Sequence, residues 1–310
     1  MKNEEKAVKL FNGVTAVGDD LIEEAGTVPK RKKTAVWRWA AIAACLCLAL
    51  VGTAFAASPA LRDMLAEALG GFAPYAQRQD SAVYTWNGFE FEVLSALADE
   101  NMVRVYTRIT DLEGRDRLDI HSEAWTSEGP WLDIYVPIKS VDVTGGGGTT
   151  SFDRYDAATQ TTVAVTTLWG EVTDDLTGAE IRIDTPLNRM DGKSVVKIPL
   201  DVEVMPVRTL FKDREVAGVQ VEALKISTLG VSIIAPKEEY RPAPALKDAE
   251  IRAALDDGTE LSEKSYDSTT SYIDPDTDQE YFVLIWNFAD PVELDQVSGI
   301  YVGDQYFPVK

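Results

Sequence analysis

The chain has 310 residues, room for about two domains, and its 51 Asp+Glu against 30 Lys+Arg give a net charge of −21 and a pI near 4.4. That charge repels a nucleic-acid backbone, so polynucleotide binding is the first function to set aside. One histidine and two cysteines remove most zinc sites, Ser-His-Asp and Cys-His catalysis and any disulfide framework, while 45% hydrophobic residues supply the material for a sizeable core.

Residues 1–33 are too few to enclose a core. Ala7, Leu10, Val14, Val17 and Leu21 nevertheless recur at spacings of 3, 4, 3 and 4, with Phe11 and Ile22 beside them, which places them on one helical face. Asn12-Gly13 and Gly18 interrupt the pattern, and Asp20 with Glu23 reads as an acidic capping box opening a second short helix. An apolar stripe that its own peptide cannot bury is a candidate for folding against a partner, here through Leu10, Phe11, Val14, Val17, Leu21 and Ile22. The alternative is a helix lying on the inner leaflet beside Lys30, Arg31, Lys32 and Lys33. Six acidic residues within the arm oppose an anionic leaflet and favour the protein partner.

Residues 40–57 carry no charge over 18 positions, about 27 Å of helix, close to a hydrocarbon core of about 30 Å. Ile42, Leu46, Leu48, Leu50, Val51 and Phe55 together contribute about −2 to −4 kcal/mol on an insertion scale. Trp37 and Trp39 fall at an interfacial aromatic belt, and Arg38 can snorkel to the headgroups. Lys30, Arg31, Lys32, Lys33 and Arg38 lie on the N-terminal side against Arg62 close on the other, so the N-terminus is expected inside the cell membrane and the C-terminus outside. The bulk beyond residue 58 then holds 22 Lys+Arg and 45 Asp+Glu. Ala54-Phe55-Ala56 also resembles a signal-peptidase site, although the preceding segment is long for a signal peptide. Ile42-Ala43-Ala44-Cys45 resembles a lipobox, but the apolar run continues past it. Cys45 and Cys47 are two apart on a helix and cannot bridge each other.

Ser58-Pro59 reads as a helix start and Gly70-Gly71 as its stop, with Leu61, Met64, Leu65, Ala68 and Leu69 on one face. From residue 82 the texture is that of strands. Residues 89–94 and 102–109 alternate around Asp99-Glu100-Asn101 and read as a hairpin; further strands are expected at 131–138, 161–168, 179–183 and 195–204, with residues 145–148 a flexible loop. Past Met205-Pro206 a second series is expected at 216–227, 230–235, 250–255, 266–273, 279–288 and 299–308. The fold class expected is mainly β, two immunoglobulin-like β-sandwich-type outer domains on one transmembrane helix. The divisions are 1–33 cytoplasmic arm, 34–57 transmembrane helix, 58–76 juxtamembrane helix and linker, 77–206 first outer domain and 207–310 second.

No catalytic set stands out in the sequence. Asp274-Pro275-Asp276-Thr277-Asp278 has the alternate carboxylates of a calcium loop, but Gln279 and Ile285 stand where glycine and glutamate are needed, so it reads as a polar hairpin tip. His121 has no second histidine, serine or cysteine motif around it. No enzymatic activity, metal or cofactor is expected.

Gly18-Asp19-Asp20-Leu21-Ile22-Glu23-Glu24-Ala25, followed by the basic cluster and an alanine- and leucine-rich span, resembles the front end of single-pass membrane proteins of Gram-positive, clostridial-type bacteria that carry an outer domain of unknown function 4179. Pro74-Tyr75-Ala76-Gln77, residues 93–99, Val103-Arg104-Val105-Tyr106 and residues 110–114 are similar too, so the likeness covers residues 10–140 well and the rest loosely. The resemblance implies an anti-sigma-factor-like regulator whose inner arm holds an extracytoplasmic-function sigma factor while the outer part meets an envelope ligand. The His/Cys zinc signature of many anti-sigma factors is absent, since both cysteines lie in the apolar run. The rival readings are a surface binding or structural protein with a merely topogenic tail, and a hydrolase released by cleavage after Ala56.

Overall fold

A computed structural model describes residues 59–79, 82–100, 102–136, 147–152, 154–169, 176–184, 196–237, 244–262, 266–273, 277–288 and 290–309, all within one compact unit, Leu46–Lys310. The inner arm and the apolar run at 40–57 lie outside the described residues; among the described residues no helix is long and apolar enough to cross a membrane.

The described chain is mainly β. It opens with helix α1, Pro59–Leu69, which buries Leu61, Met64, Leu65 and Leu69, the face expected from the sequence. Gly70-Gly71 does not simply end it: the chain tightens into a 3-10 segment, Gly70–Tyr75, that buries Phe72. The N-terminal β lobe follows: β1 (Gln77–Arg78), β2 (Tyr84–Trp86), β3 (Phe89–Ala98), β4 (Met102–Asp111), helix α2 (Glu123–Glu128), β5 (Trp131–Tyr135), β6 (Gly147–Ser151), β7 (Tyr155–Asp156), β8 (Thr161–Trp169), β9 (Glu180–Asp184) and β10 (Val196–Pro199). One sheet runs β1-β3-β4-β8-β6, with β2 on β3 and β7 on β8; the other runs β10-β9-β5. Phe89, Phe91, Val105 and Ile109 of the first share a core with Leu132, Ile134, Ile181 and Ile183 of the second.

The C-terminal lobe comprises β11 (Arg208–Val216), β12 (Val219–Ile226), β13 (Gly230–Pro236), helix α3 (Pro244–Lys247), β14 (Ile251–Leu255), β15 (Glu260–Ser262), β16 (Tyr266–Ile273), β17 (Glu280–Asn287), β18 (Val297–Val302) and β19 (Gln305–Pro308). Its sheets run β11-β12-β13-β17-β16 and β15-β14-β18-β19, around a core that holds Leu224, Ile233, Trp286 and Ile300. The two lobes repeat one connectivity. The pairs β3–β4, β4–β8, β8–β6, β5–β9 and β9–β10 recur in order as β12–β13, β13–β17, β17–β16, β14–β18 and β18–β19.

Several strand expectations are corrected. Residues 216–227 are not one strand: Ala217 (φ +51°) and Gly218 (φ +79°) make a tight turn of the mirror-image kind that matches sheet twist, and β11 precedes it. Ala-Gly lacks the Asn or Asp that usually signals such a turn, which hid the hairpin. Residues 299–308 likewise fold back at Gly303-Asp304 into β18 and β19, and the strand expected over 195–204 ends at Pro199. Gly147 and Gly148, expected in a loop, pair with Trp169 and Leu168 in β6, where an edge strand needs only backbone hydrogen bonds.

In β3 the register shifts between Val93 and Ser95. Phe89, Phe91 and Val93 face the lobe's core before this irregularity, and Ala96 and Ala98 after it. Leu97, which would follow Phe89, Phe91 and Val93 into the core, thereby turns to the opposite face, where it joins Leu94 and α1. A one-residue change of phase is what a bulge does, and here it makes the sheet apolar on both sides.

Candidate functional site

The helix that would follow the apolar run is built into the junction of the lobes. Leu61, Met64, Leu65 and Leu69 pack with Leu94, Leu97, Met102, Tyr106 and Val163 of the N-terminal lobe and with Leu229 from the turn between β12 and β13. The 3-10 segment continues across the junction. Tyr75 donates its hydroxyl to Glu293 Oε1 at 2.5 Å, and burial together with that carboxylate pushes the phenol well above its ordinary range. A Cβ on Gly71 would stand 2.8 Å from Pro291, so glycine is what permits this approach.

Equivalent hairpins meet at the same place. Ser227 Oγ donates to Asp99 Oδ2 at 2.5 Å and accepts the N–H groups of Leu229 and Gly230, while Asp99 Oδ1 accepts the Met102 N–H at 2.8 Å. Lys225 reaches Glu100 at 2.6 Å. Trp169, at the end of β8, packs with Ala223, Ile234, Val283 and Ile285 on the outer face of the C-terminal lobe's larger sheet. The β3–β4 turn of one lobe thus sits on the β12–β13 turn of the other, with α1 wedged beside both.

The connecting segment is stitched by side chains that imitate backbone. Gln79 donates Nε2 to Asp201 O at 2.7 Å and accepts the Asp201 N–H at 2.8 Å; Gln77 repeats the pattern on Glu203 at 2.7 Å both ways. A primary amide offers one donor and one acceptor in a plane, as a peptide group does. Gln79→Leu is expected to cost about 1–3 kcal/mol, since two backbone groups of Asp201 lose their partners; denaturant unfolding of that variant beside the wild type checks it.

At the other end of the N-terminal lobe, residues 112–130 form a long ordered loop. Its base is a buried ion pair: Arg117, whose side chain is 1% exposed, holds Asp111 through Nη2 to Oδ1 at 2.5 Å and Nε to Oδ2 at 3.1 Å. The same guanidinium donates to Asn87 O and Gly88 O and lies 4.0 Å from the Phe89 ring centre. Asp111 also accepts the N–H groups of Glu113, Arg115 and Arg117. Burial alone would raise its pKa, but the Arg117 hydrogen bonds and these backbone donors hold it at about 2. Asp116 (φ +53°) accepts Tyr155 OH and Gln160 Nε2, which lowers its pKa; burial and that bond raise the Tyr155 phenol. Ser122 caps α2 by accepting the Trp125 N–H. These groups satisfy one another, so the shifted pKa values mark structure here.

The partner-binding residues expected at Leu10, Phe11, Val14, Val17, Leu21 and Ile22, and the interfacial set Lys30, Arg31, Lys32, Lys33, Trp37, Arg38 and Trp39, lie outside the described residues. His121 is exposed and its backbone N–H donates to Asp119. Among the described residues no cluster of His, Cys, Asp or Glu could hold a metal ion; Asp278 and Thr277 follow β16 in the hairpin with β17. Sequence reasoning missed Leu229, Asp99 and Ser227, which carry no motif and acquire their role only where two hairpins meet.

No family model matches the sequence, and no curated protein matches it. Among solved structures it is similar to the crystal structure of the conserved domain protein from Bacillus anthracis, with a TM-score of 0.38 and 14% identity over 73% of this chain and 76% of that one. So distant a likeness carries no argument here.

Proposed function

We propose that the chain is a single-pass membrane protein of regulatory or sensory type, anti-sigma-factor-like in plan, with the β lobes outside the membrane and residues 1–33 inside. One observation carries this reading: the apolar run ends at residue 57, the helix that begins at Pro59 packs on Leu229 as well as on the N-terminal lobe, and the 3-10 segment that continues it is held at Tyr75 by Glu293. A change in how the lobes meet would therefore act directly on the segment entering the bilayer. Signalling requires two states of differing affinity, and this junction is where they would differ. Each lobe reads as an immunoglobulin-like sandwich. The strand sets β3-β4-β8-β6 against β5-β9-β10, and β12-β13-β17-β16 against β14-β18-β19, support that reading because they follow the ABED and CFG order of the fold.

Protease added to intact cells should digest the β lobes and leave the arm in the membrane fraction. A C-terminally tagged full-length chain should co-purify a sigma-factor-type regulator, and Phe11→Asp should abolish the capture. Finding most of the protein in the culture fluid, or capture indifferent to Phe11→Asp, would overturn the reading.

A further inference from the structure

Two outer sheet faces, one in each lobe and equivalent in connectivity, carry the same chemistry. On β5, Trp131, Asp133 and Tyr135 point outward while Leu132 and Ile134 point to the core; Trp131 is 49% and Tyr135 41% exposed. Arg182 of β9 stands opposite Asp133 in register, 3.5 Å over the Tyr135 ring, and is held by Glu180 at 2.8 Å. Lys197 of β10, opposite Arg182, meets the same glutamate at 3.2 Å. In the other lobe Arg252 of β14 stands opposite Tyr301 of β18, 4.7 Å over its ring, and is held by Glu260 at 2.7 Å. Tyr301 stands opposite Tyr306 of β19 with ring centres 4.9 Å apart, and Tyr306 is 43% exposed. Each face thus joins solvent-facing rings to an arginine that a tyrosine orients and a glutamate neutralises.

The chemistry of the occupant follows by comparison. A polyanion would have to displace Glu180 and Glu260 and approach a chain of net charge −21. A protein partner needs an interface centre depleted of charge, whereas Asp133, Arg182, Glu180 and Lys197 crowd the middle of the first face. An uncharged sugar chain fits what is present, because aromatic planes stack on the C–H faces of pyranose rings while fixed carboxylates and guanidinium groups meet the hydroxyls. Trp131 and Tyr135, four residues apart on one strand, are separated by about 13 Å, which spaces them for non-adjacent rings of one chain. Two equivalent faces also suit a repeating ligand, since linked weak sites gain by avidity.

We propose that the outer faces of β5-β9-β10 and β14-β18-β19 bind an uncharged polysaccharide, with Trp131 and Tyr135 as the stacking platform of one and Tyr306 of the other. This names the ligand class of the outer region and rests on the sensory reading only for where that ligand is met. The test uses the detergent-purified full-length chain, with insoluble chitin and cellulose as probes and their soluble hexasaccharides as competitors. Retention on at least one, competition by its hexasaccharide and a shift in tryptophan emission are expected. Trp131→Ala should weaken binding about tenfold, Tyr306→Ala less, and the pair together should abolish retention; Leu112→Ser, exposed on another loop, should leave it unchanged. Absence of retention on both probes, retention indifferent to Trp131→Ala, or equal retention on an anionic polymer would overturn the proposal. None of these outcomes bears on the protease test of topology.

Discussion

Arg117→Ala is expected to lower the stability of the chain by about 3–5 kcal/mol, because it leaves the Asp111 carboxylate buried without its counter-charge. At the scale of one lobe that is a fall in melting temperature of about 10 °C or more. The loss extends beyond one ion pair, since the same guanidinium ties the β2–β3 turn through Asn87 and Gly88. Asp111→Asn should be milder, as the amide oxygen can still accept from part of the ring of donors. The pH dependence has a definite sign. The folded carboxyl at about 2 lies below the ordinary carboxylate value near 3.9, so its contribution is complete above about pH 4 and is lost as pH falls towards 2. Thermal unfolding of wild type and Asp111→Asn should therefore differ most at neutral pH and converge on acidification; a constant difference down to pH 2 would refute this account of the loop.

The second large effect is expected at the junction. Leu229→Asp places a carboxylate among Leu61, Met64, Leu65, Leu69 and Phe72, and burying a charge in such an apolar cluster costs several kcal/mol. The lobes have separate cores, so the expected result is uncoupling: calorimetry should resolve two transitions, and trypsin should cut rapidly at exposed Arg62 and Arg78. Leu229→Ala provides the graded version, at about 2–5 kcal/mol. Unchanged proteolysis of a folded Leu229→Asp chain would show that α1 is held by the N-terminal lobe alone, and the coupling argued for the membrane helix would fail with it.

The strands most legible in the sequence were those with one wet face or with apolar runs bounded by turns. β16 coincides with residues 266–273, and β5, β8 and β17 lie within a residue or a few of their expected positions. What failed was punctuation. Ala217-Gly218 turns the chain with a residue that carries no turn signal; β19 falls inside the single strand expected over 299–308, and β15 lies where no strand is expected, because edge strands of three or four residues hold little periodicity. β3 was harder still: its bulge changes which residues face the core, and Leu94 and Leu97 became intelligible only once α1 was seen to cover them.

The sequence by itself determined that this chain is acidic and mainly β, that an uncharged 18-residue segment precedes an amphipathic helix, and that it holds one histidine and two cysteines. These are properties of composition and short-range pattern, which burial and backbone hydrogen bonding read one segment at a time. Tertiary structure alone decided that the two lobes repeat one connectivity, that Asp99 meets Ser227 across 128 positions, and that Trp131 and Tyr306 lie on equivalent faces. Such pairings depend on which hairpins and sheets approach one another, and no local propensity encodes a contact between residues that distant in the chain.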